Sequence, residues 1–499
     1  MRKPPKLIVS LPGRDVPSVR EEAQRAKAAG ADIAELRLDR WPVETLERLP
    51  QLFPSPIPLL ATLRSRAEGG EGPDDELTRA RWIERASELP FELVDLELRR
   101  DSRRRSLEAS RSVLSVHLPS AHPVEAWAPL LERASAGEAF VKVVFPATLE
   151  ELATEVLPRL PVHRNGPFVL HTTGASGPLL RAWGMRLGLA AVYAQLPRTP
   201  PGSRRSAPPV ESAQIPVDHL HHYFRHGGEG PLQVLLGHPV AHSFSPAIHA
   251  NWIRQLDRSG LYIALDVATP AEFDHALRLL EERGANGVNV THPWKQLALS
   301  LSDSASASAR TVGAANTLRF ENGRRLAENT DVQAVSRRIR ELREDGSWDG
   351  RSLTVIGTGA SASATLFAAK ELGIEAVVAG RNPAAANALA ARYGAKTWES
   401  SAPSPASLLV HATPVGREQE RSLDVNLAPL LSRSTYLLDF VYRPADPVLA
   451  RAAAAAGARY EDGYRLLVYQ AARSFELFWG RPLDASLEHR QLEEPPCAA

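Results

Sequence analysis

Between Arg351 and Arg381 the chain reads RSLTVIGTGASASATLFAAKELGIEAVVAGR, and few stretches leave so little choice of fold. A β-rich run (Leu353–Ile356) meets Gly357-Thr358-Gly359-Ala360-Ser361-Ala362, a helix-forming segment follows, and a second apolar run, Ala376–Ala379, ends at Gly380-Arg381. This strand–turn–helix–strand order is the context in which G-x-G-x-x-G/A signifies a dinucleotide. Gly357 permits the tight turn, and Gly359 removes the side chain that would block a pyrophosphate. Ala360 and Ser361 open a helix whose free N–H groups face the phosphates. Where an NAD site carries an acid, Arg381 stands instead. Its planar fork suits a 2′-phosphate, so NADP is the expected cofactor. An ordinary tight turn would explain the glycines alone, but the complete βαβ context favours cofactor binding.

At 499 residues the chain is too long for one core, and about two to four domains are expected. Apolar content of 43% and charged content of 23% are ordinary for a soluble globular protein. A net charge of +1 gives no global field toward nucleic acid or an anionic membrane. The single cysteine, Cys497, rules out a disulfide framework and argues against a cysteine site. No apolar run approaches the roughly 20 residues of a membrane span. The start, MRKPPKLIVS, enters a strand-like run almost at once, without room for a signal peptide, so a cytoplasmic protein is expected. Of 59 basic residues only seven are lysine: Lys3, Lys6, Lys27, Lys142, Lys295, Lys370 and Lys396. In so arginine-rich a chain, a lysine in an unusual setting points to a task arginine cannot perform, such as releasing a proton or attacking a carbonyl. Lys142 and Lys295 occupy such settings.

Eight β-rich runs recur through the first half: 7–10, 33–38, 58–63, 93–98, 112–117, 140–145, 168–173 and 189–194. Amphipathic spacers such as Val19–Ala29 and Asp75–Glu88 alternate with them, which predicts a parallel sheet. Eight such units closing on themselves make an α/β fold of the (β/α)₈ TIM-barrel type, with an open doubly wound sheet as the alternative. Barrel chemistry sits where strands end, and the polar residues gather there. Glu35 and Arg37 share a strand face, Arg64 follows the third strand, His117 ends the fifth, and Lys142 lies within Phe140–Phe145. An amine among Val and Phe is poorly solvated, its charged form is disfavoured, and it can attack a ketone. His117 titrates near neutrality and can move protons. A core histidine and a snorkelling lysine are the structural alternatives. Their juxtaposition with arginines favours catalysis.

Glu35-Leu-Arg37-Leu-Asp39, Thr62-Leu-Arg64-Ser-Arg66 with Glu68-Gly-Gly, Asp95-Leu-Glu97-Leu, His117 and Lys142 resemble, in order, the type I 3-dehydroquinate dehydratase family over about 5–222. The resemblance implies a (β/α)₈ barrel in which Lys142 forms a Schiff base with the substrate ketone and His117 shuttles protons as water is eliminated. It further implies that Glu35 and Arg37 support the site while Arg64, Arg181 and Gln214 hold substrate hydroxyls and carboxylate. The family's His-Asp-Phe reads His117-Leu118-Pro119 here, and its lid segment Ser-Ala-Pro-Gly-Gln reads Val210-Glu-Ser-Ala-Gln214. Residues 197–209 are read as a lid loop, and His226–Pro231 as the seam between domains. His219, His221, His222 and His226 near that seam are read as a solvated helix end rather than a metal site, and no metal is expected.

Beyond the seam, LQVLLG (232–237) leads to Ser243-Phe-Ser245-Pro246 and a helix around 247–256. Two serines at a strand-to-helix turn offer hydroxyls to an anion, although Ser245 would also serve as an N-cap. Asn289-Val-Thr291-His-Pro293-Trp-Lys295, Gly313-Ala-Ala-Asn316-Thr317 and Asn329-Thr330-Asp331 follow, then Asp439-x-x-Tyr442-x-Pro444 and Gly463–Gln470. These runs are similar to those of shikimate dehydrogenase over about 232–482. The similarity implies Ser243, Ser245, Thr291, Asn316 and Gln470 on the substrate, and Lys295 with Asp331 as the catalytic pair. Gly357, Gly359, Ala360, Ser361, Arg381, Thr413 and Gly463 would line the NADP site. The family's phosphate clamp reads Gly380-Arg381-Asn382, with alanine for its second arginine, and its Gly-Met reads Gly416-Arg417.

The expected domains are thus a barrel (1–226), a substrate-binding α/β lobe (227–335), a Rossmann NADP lobe (336–460), and C-terminal helices with a tail (461–499). The expected activity is bifunctional, from 3-dehydroquinate through 3-dehydroshikimate to shikimate with NADPH. A catabolic quinate/shikimate dehydrogenase and a catalytically silent metabolite sensor are the rivals. Small molecules are the expected partners. The oligomeric state is open, with a monomer compatible with the sequence.

Overall fold

The computed structural model describes residues 3–73, 75–101, 111–118, 140–160, 167–197, 213–398, 406–416, 427–442 and 448–496. Cys497, Pro444, Arg417, the lid segment 198–209 and Val210–Ser212 lie outside them. Among the described residues no helix is long and apolar enough to cross a membrane.

Eight parallel strands form one sheet: β1 (Lys6–Leu11), β2 (Ile33–Arg37), β3 (Leu59–Thr62), β4 (Leu93–Glu97), β5 (Ser112–His117), β6 (Phe140–Pro146), β7 (Phe168–Thr173) and β8 (Ala191–Ala194). Their order, β7-β6-β5-β4-β3-β2-β1-β8, is that of a barrel opened at one seam. Ile8, Ile33, Leu60, Val113, Val169 and Ala191 with Tyr193 fill the interior as one apolar layer. Because side chains alternate along a strand, the next inward positions lie nearer the strand ends and are polar: Ser10, Glu35, Thr62, Asp95, Ser115 and His171. The helices Val16–Ala28 and Glu76–Glu88 begin at Asp15 and Asp75, whose carboxylates accept the N–H of Ser18 and Thr78.

At the seam β7 and β8 splay. The Ala190 N–H reaches Phe168 O at 2.8 Å, but further along side chains replace the ladder. The Tyr193 N–H donates to His171 Nε2 (3.1 Å), and Arg181 donates from Nε to Tyr193 O (3.2 Å) and from Nη1 to Thr172 O (3.1 Å).

The contacts divide the described residues into two compact units, one of residues up to 246 and 250–285, the other of 247–249 and 286–496. The first unit adds the parallel pair β9 (Leu232–Gly237) and β10 (Leu261–Asp266), tied to the barrel's last helix by Arg254–Asp218, Arg225–Asp257 (2.9 Å) and His222 Nε2 to Arg258 O (2.8 Å).

In the second unit β11 (Gly287–Val290) runs antiparallel to β13 (Thr317–Glu321), and β13 antiparallel to β14 (Arg324–Glu328). The short β12 (Ser304–Ala305) pairs parallel with β14. A separate parallel sheet follows: β15 (Ser352–Ile356), β16 (Glu375–Ala379), β17 (Lys396–Thr397), β18 (Leu408–His411), β19 (Tyr436–Asp439) and β20 (Arg459–Glu461). Its order, β17-β16-β15-β18-β19-β20, is that of a doubly wound dinucleotide-binding sheet. Leu408 and Val410 join one apolar cluster and Leu409 another, as expected where helices cover both faces. The order reverses between β15 and β18, where such sheets open a ligand crevice at the strand ends.

Candidate active sites

The barrel encloses a cavity of about 470 Å³ at the C-terminal ends of its strands. Lys142 stands at its centre, 5% exposed. Its Nζ lies 3.7 Å from Glu35 Oε1, 3.8 Å from Asp95 Oδ2, and 3.9 Å from the centre of the Tyr193 ring. Burial pulls the amine below its ordinary value, against the opposing pull of Glu35 and Asp95. Both carboxylates are held in place: Glu35 accepts Ser10 Oγ (2.5 Å) and Thr62 Oγ1 (2.9 Å), and Asp95 accepts Ser115 Oγ (2.5 Å).

His117 ends β5 at the cavity wall. Burial, then Arg64, Lys142 and Arg37, drive it well below its ordinary value, so the imidazole is neutral at pH 7. Its Nδ1 lies 3.3 Å from Glu68 Oε2, and the His117 backbone N–H donates to the same oxygen at 3.0 Å. Burial raises Glu68 to about 7, although Arg64 works against the shift.

Arg64 and Arg37 line the cavity as expected, yet their guanidinium groups are already engaged. Arg64 reaches Glu68 (2.8 Å), both oxygens of Asp95 (3.1 Å each) and Ser115 Oγ (3.0 Å), while Arg37 forms a fork on Asp39 at 2.7 Å. Buried arginines so paired fix carboxylates in position more than they offer themselves to a ligand. Arg181 also lines the cavity, with Nε and Nη1 on the seam carbonyls. Gln214 donates to Ser10 Oγ (3.3 Å), and its Oε1 has no hydrogen bond among the described residues. Sequence reasoning missed Ser10, Arg40, His171, Thr173 and Tyr193 in the lining. The two-residue alternation from Ile8 and Val169 marks Ser10, His171 and Thr173 as inward-facing.

In the second unit, Lys295 Nζ donates to Asp331 Oδ2 at 2.6 Å. Lys295 opens the helix Lys295–Ser300, where the dipole opposes a cation, and Asp331 lies in the first turn of Thr330–Glu344, where it favours an anion. Asn316 organises the pair. Its Nδ2 donates to Thr330 Oγ1 (2.9 Å) and Asp331 Oδ1 (3.0 Å), and its Oδ1 accepts the Thr330 N–H (2.8 Å). Asn316, expected on the substrate, thus has one amide hydrogen on Thr330 and one on Asp331. Asn289, supported by Thr317 Oγ1 (3.0 Å), and Gln470, whose Oε1 accepts Thr330 Oγ1 (3.4 Å), extend the network. Thr291 follows β11 and accepts the Trp294 N–H at its carbonyl (3.0 Å).

At the crevice, Gly357 has φ +129°, and a Cβ there would meet Ala412 O at 2.6 Å. Gly359 has nothing within 4 Å of a Cβ position, and it caps the helix Ala360–Glu371, which includes Ser361, without a side-chain bond. Arg381 is exposed just past β16. Thr413 Oγ1 bonds His411 Nε2 (2.5 Å), whose Nδ1 meets Asp439 Oδ1 (2.8 Å). Gly463 packs close against Phe440, where a Cβ would meet its carbonyl oxygen at 2.4 Å.

In the first unit Ser243 Oγ accepts the Ser245 N–H at 3.2 Å. Ser245 is the first residue of the helix Ser245–Gln255, not its N-cap, because Phe244 holds that place. The histidines near the seam also differ from expectation. His219 and His222 are buried and His226, whose Nδ1 meets His222 O at 2.9 Å, is half-buried, whereas His221 is exposed, so the helix end is solvated only in part. His222, His226 and Asp257 form, among the described residues, the group whose ligand atoms come within 4.8 Å of one another.

Residues 7–228 match the family model for type I 3-dehydroquinase, and residues 235–318 match that for the shikimate dehydrogenase substrate binding domain. A shikimate dehydrogenase (NADP(+)) of Rhodopseudomonas palustris (strain HaA2) is 38% identical over 286 residues, 55% of this chain and 99% of the relative. Among solved structures, shikimate 5-dehydrogenase from Thermus thermophilus, in complex with NADP(H) and shikimate, is 33% identical with a TM-score of 0.47, covering 53% of this chain and 98% of that one. Dehydroquinate dehydratase and shikimate dehydrogenase from S. pombe is 21% identical with a TM-score of 0.45, covering 99% of both chains.

Proposed function

The chain belongs to the shikimate dehydrogenase family and carries a type I 3-dehydroquinase domain ahead of that module, and on that premise we propose how its residues divide two successive reactions. The barrel dehydrates 3-dehydroquinate to 3-dehydroshikimate, and the second module reduces that product to shikimate. One observation carries the assignment: the buried amine of Lys142, poised between two fixed carboxylates with a neutral histidine on the cavity wall.

Neutral Lys142 attacks the ketone carbon, and the adduct takes up a proton from solvent and loses water to give a protonated imine. Glu35 and Asp95 then face a cation that cannot leave, and they stabilise it. The imine draws electrons from the neighbouring carbon, and His117 takes the proton there and returns it to the hydroxyl one carbon further, which leaves as water. Water finally hydrolyses the imine and frees Lys142.

In the second module Lys295 donates a hydrogen bond to the carbonyl oxygen and gives it a proton as negative charge develops, while Asp331 holds the ammonium in place. NADPH, when bound, supplies the reducing equivalents. Gly357, Gly359, Ala360 and Ser361 would cradle its pyrophosphate, and Arg381 its 2′-phosphate. The open space at Gly359 and the exposed guanidinium fit that group. Thr413 and Gly463 would border it. Ser243 and Ser245, Thr291 and Gln470 are proposed as substrate contacts.

The pH dependence of dehydration tests the imine route. Both bases must be unprotonated, and burial moves both below their ordinary values. Activity (kcat/KM) should therefore rise with pH and reach its plateau below 10.5, the ordinary lysine value. A rising limb centred at the ordinary lysine value would contradict a desolvated nucleophile.

A further inference from the structure

His171 is used by neither reaction as derived above, yet it lines the dehydration cavity and is 1% exposed. Its strand places it two residues beyond Val169 of the interior layer and two before Thr173, which also lines the cavity. The Tyr193 backbone N–H donates to Nε2 at 3.1 Å. A peptide N–H can only donate, so Nε2 must carry the lone pair, and the one proton of the neutral ring sits on Nδ1. Burial, with Arg181 and Lys142 adding to it, keeps the ring neutral against the smaller opposing pull of the Leu170 backbone. Nδ1 is buried and has no hydrogen-bond partner among the described residues. A buried donor left unmade is destabilising, and a ligand oxygen arriving in the cavity would satisfy it.

We propose that His171, locked in one tautomer by the β8 backbone, donates from Nδ1–H to an oxygen of the substrate bound at Lys142, and so is a specificity-determining residue of the dehydration site. The proposal rests on the dehydratase assignment. It accounts for a polar residue at a position that could close the barrel with an apolar one. It also separates two tasks of one ring: Nε2 closes the β7–β8 seam, and Nδ1 recognises the ligand.

Two substitutions divide those tasks. In His171→Gln the longer amide places its oxygen near the Nε2 position and can accept the Tyr193 N–H, but nothing donates from the Nδ1 position. In His171→Asn the shorter amide places an N–H₂ near Nδ1 and abandons the seam. His171→Gln should keep the wild-type melting temperature and lose about tenfold in dehydration kcat/KM, mainly through KM, as expected for one lost hydrogen bond. His171→Asn should melt lower but retain more of kcat/KM. Reduction of 3-dehydroshikimate by NADPH, measured in the same samples, should be unchanged and reports on folding. Unchanged kcat/KM in His171→Gln, or loss only in His171→Asn, overturns the proposal in favour of a seam-closing role alone. If neither variant folds, the wild-type enzyme labelled with ¹⁵N-histidine decides: the Nδ1–H resonance should shift on adding 3-dehydroshikimate, and an unmoved resonance overturns the proposal. Failure of borohydride to trap 3-dehydroquinate on wild-type Lys142 would instead overturn the dehydratase assignment beneath it.

Discussion

Lys142→Ala is expected to abolish dehydration of 3-dehydroquinate while reduction of 3-dehydroshikimate continues at the wild-type rate. The cavity would keep Glu35, Asp95 and His117, but without an amine the ketone cannot become an imine, and the adjacent carbon loses its electron sink. A fall of at least about 10³-fold in kcat follows, equivalent to about 4 kcal/mol of barrier at 1.36 kcal/mol per tenfold. Borohydride added with 3-dehydroquinate should fix one reduced adduct on Lys142 of the wild-type chain and none on the variant. The shape of the cavity argues against a trivial loss of fold. The Lys142 amine makes longer-range ion pairs of 3.7 and 3.8 Å and stands over the Tyr193 ring, whereas Glu35 and Asp95 keep their short bonds to Ser10, Thr62 and Ser115. Removing the amine does leave Glu35 and Asp95 with less compensation, so a lower melting temperature should accompany the kinetic loss. A variant that still dehydrates within about tenfold of wild type would sink the imine route.

Lys295→Ala and Asp331→Asn should produce the mirror image. Each removes one end of a 2.6 Å pair, and each should lower kcat for reduction by about 10²–10⁴-fold, the range for a positioned proton donor. Dehydration should be untouched. Asp331→Asn is the more informative of the two. Asn316 can still bond a carboxamide oxygen at 331, so the backbone arrangement should persist while Lys295 loses its anion. A large effect of Asp331→Asn on KM with kcat unchanged would show that the pair only binds substrate.

Much of this was legible in the sequence because parallel strands buried on both faces read as nearly continuous apolar runs. All eight barrel strands, β9 and the paired runs at Leu353–Ile356 and Ala376–Ala379 are found within two residues of where the sequence puts them. Lys142 stood out in the sequence as an amine inside an apolar strand, and His117, Lys295 and Asp331 as chemically distinctive residues at strand or helix ends. What could not be read is how far a side chain is already engaged. Arg64 looks like a ligand arginine in one dimension, and its three carboxylate neighbours come from Glu68 and from the separate positions Asp95 and Glu97 on β4. Asn316 likewise meets Thr330 and Asp331 only once β13 and the helix after β14 are placed. The packed histidines of Val217–Arg225 escaped for the same reason, since Arg258 and Asp257 lie on a later segment. Ser245 failed as a cap because Phe244 takes the capping position ahead of it.

The most direct test of two successive reactions in one chain is to mix the purified protein with 3-dehydroquinate alone, then add NADPH, following enone absorbance and NADPH loss as separate signals. Enone should form before any cofactor is present and then decay in step with NADPH oxidation, more slowly if NADH is substituted. Enone that never forms, or that forms and persists while NADPH is unconsumed, would contradict the account.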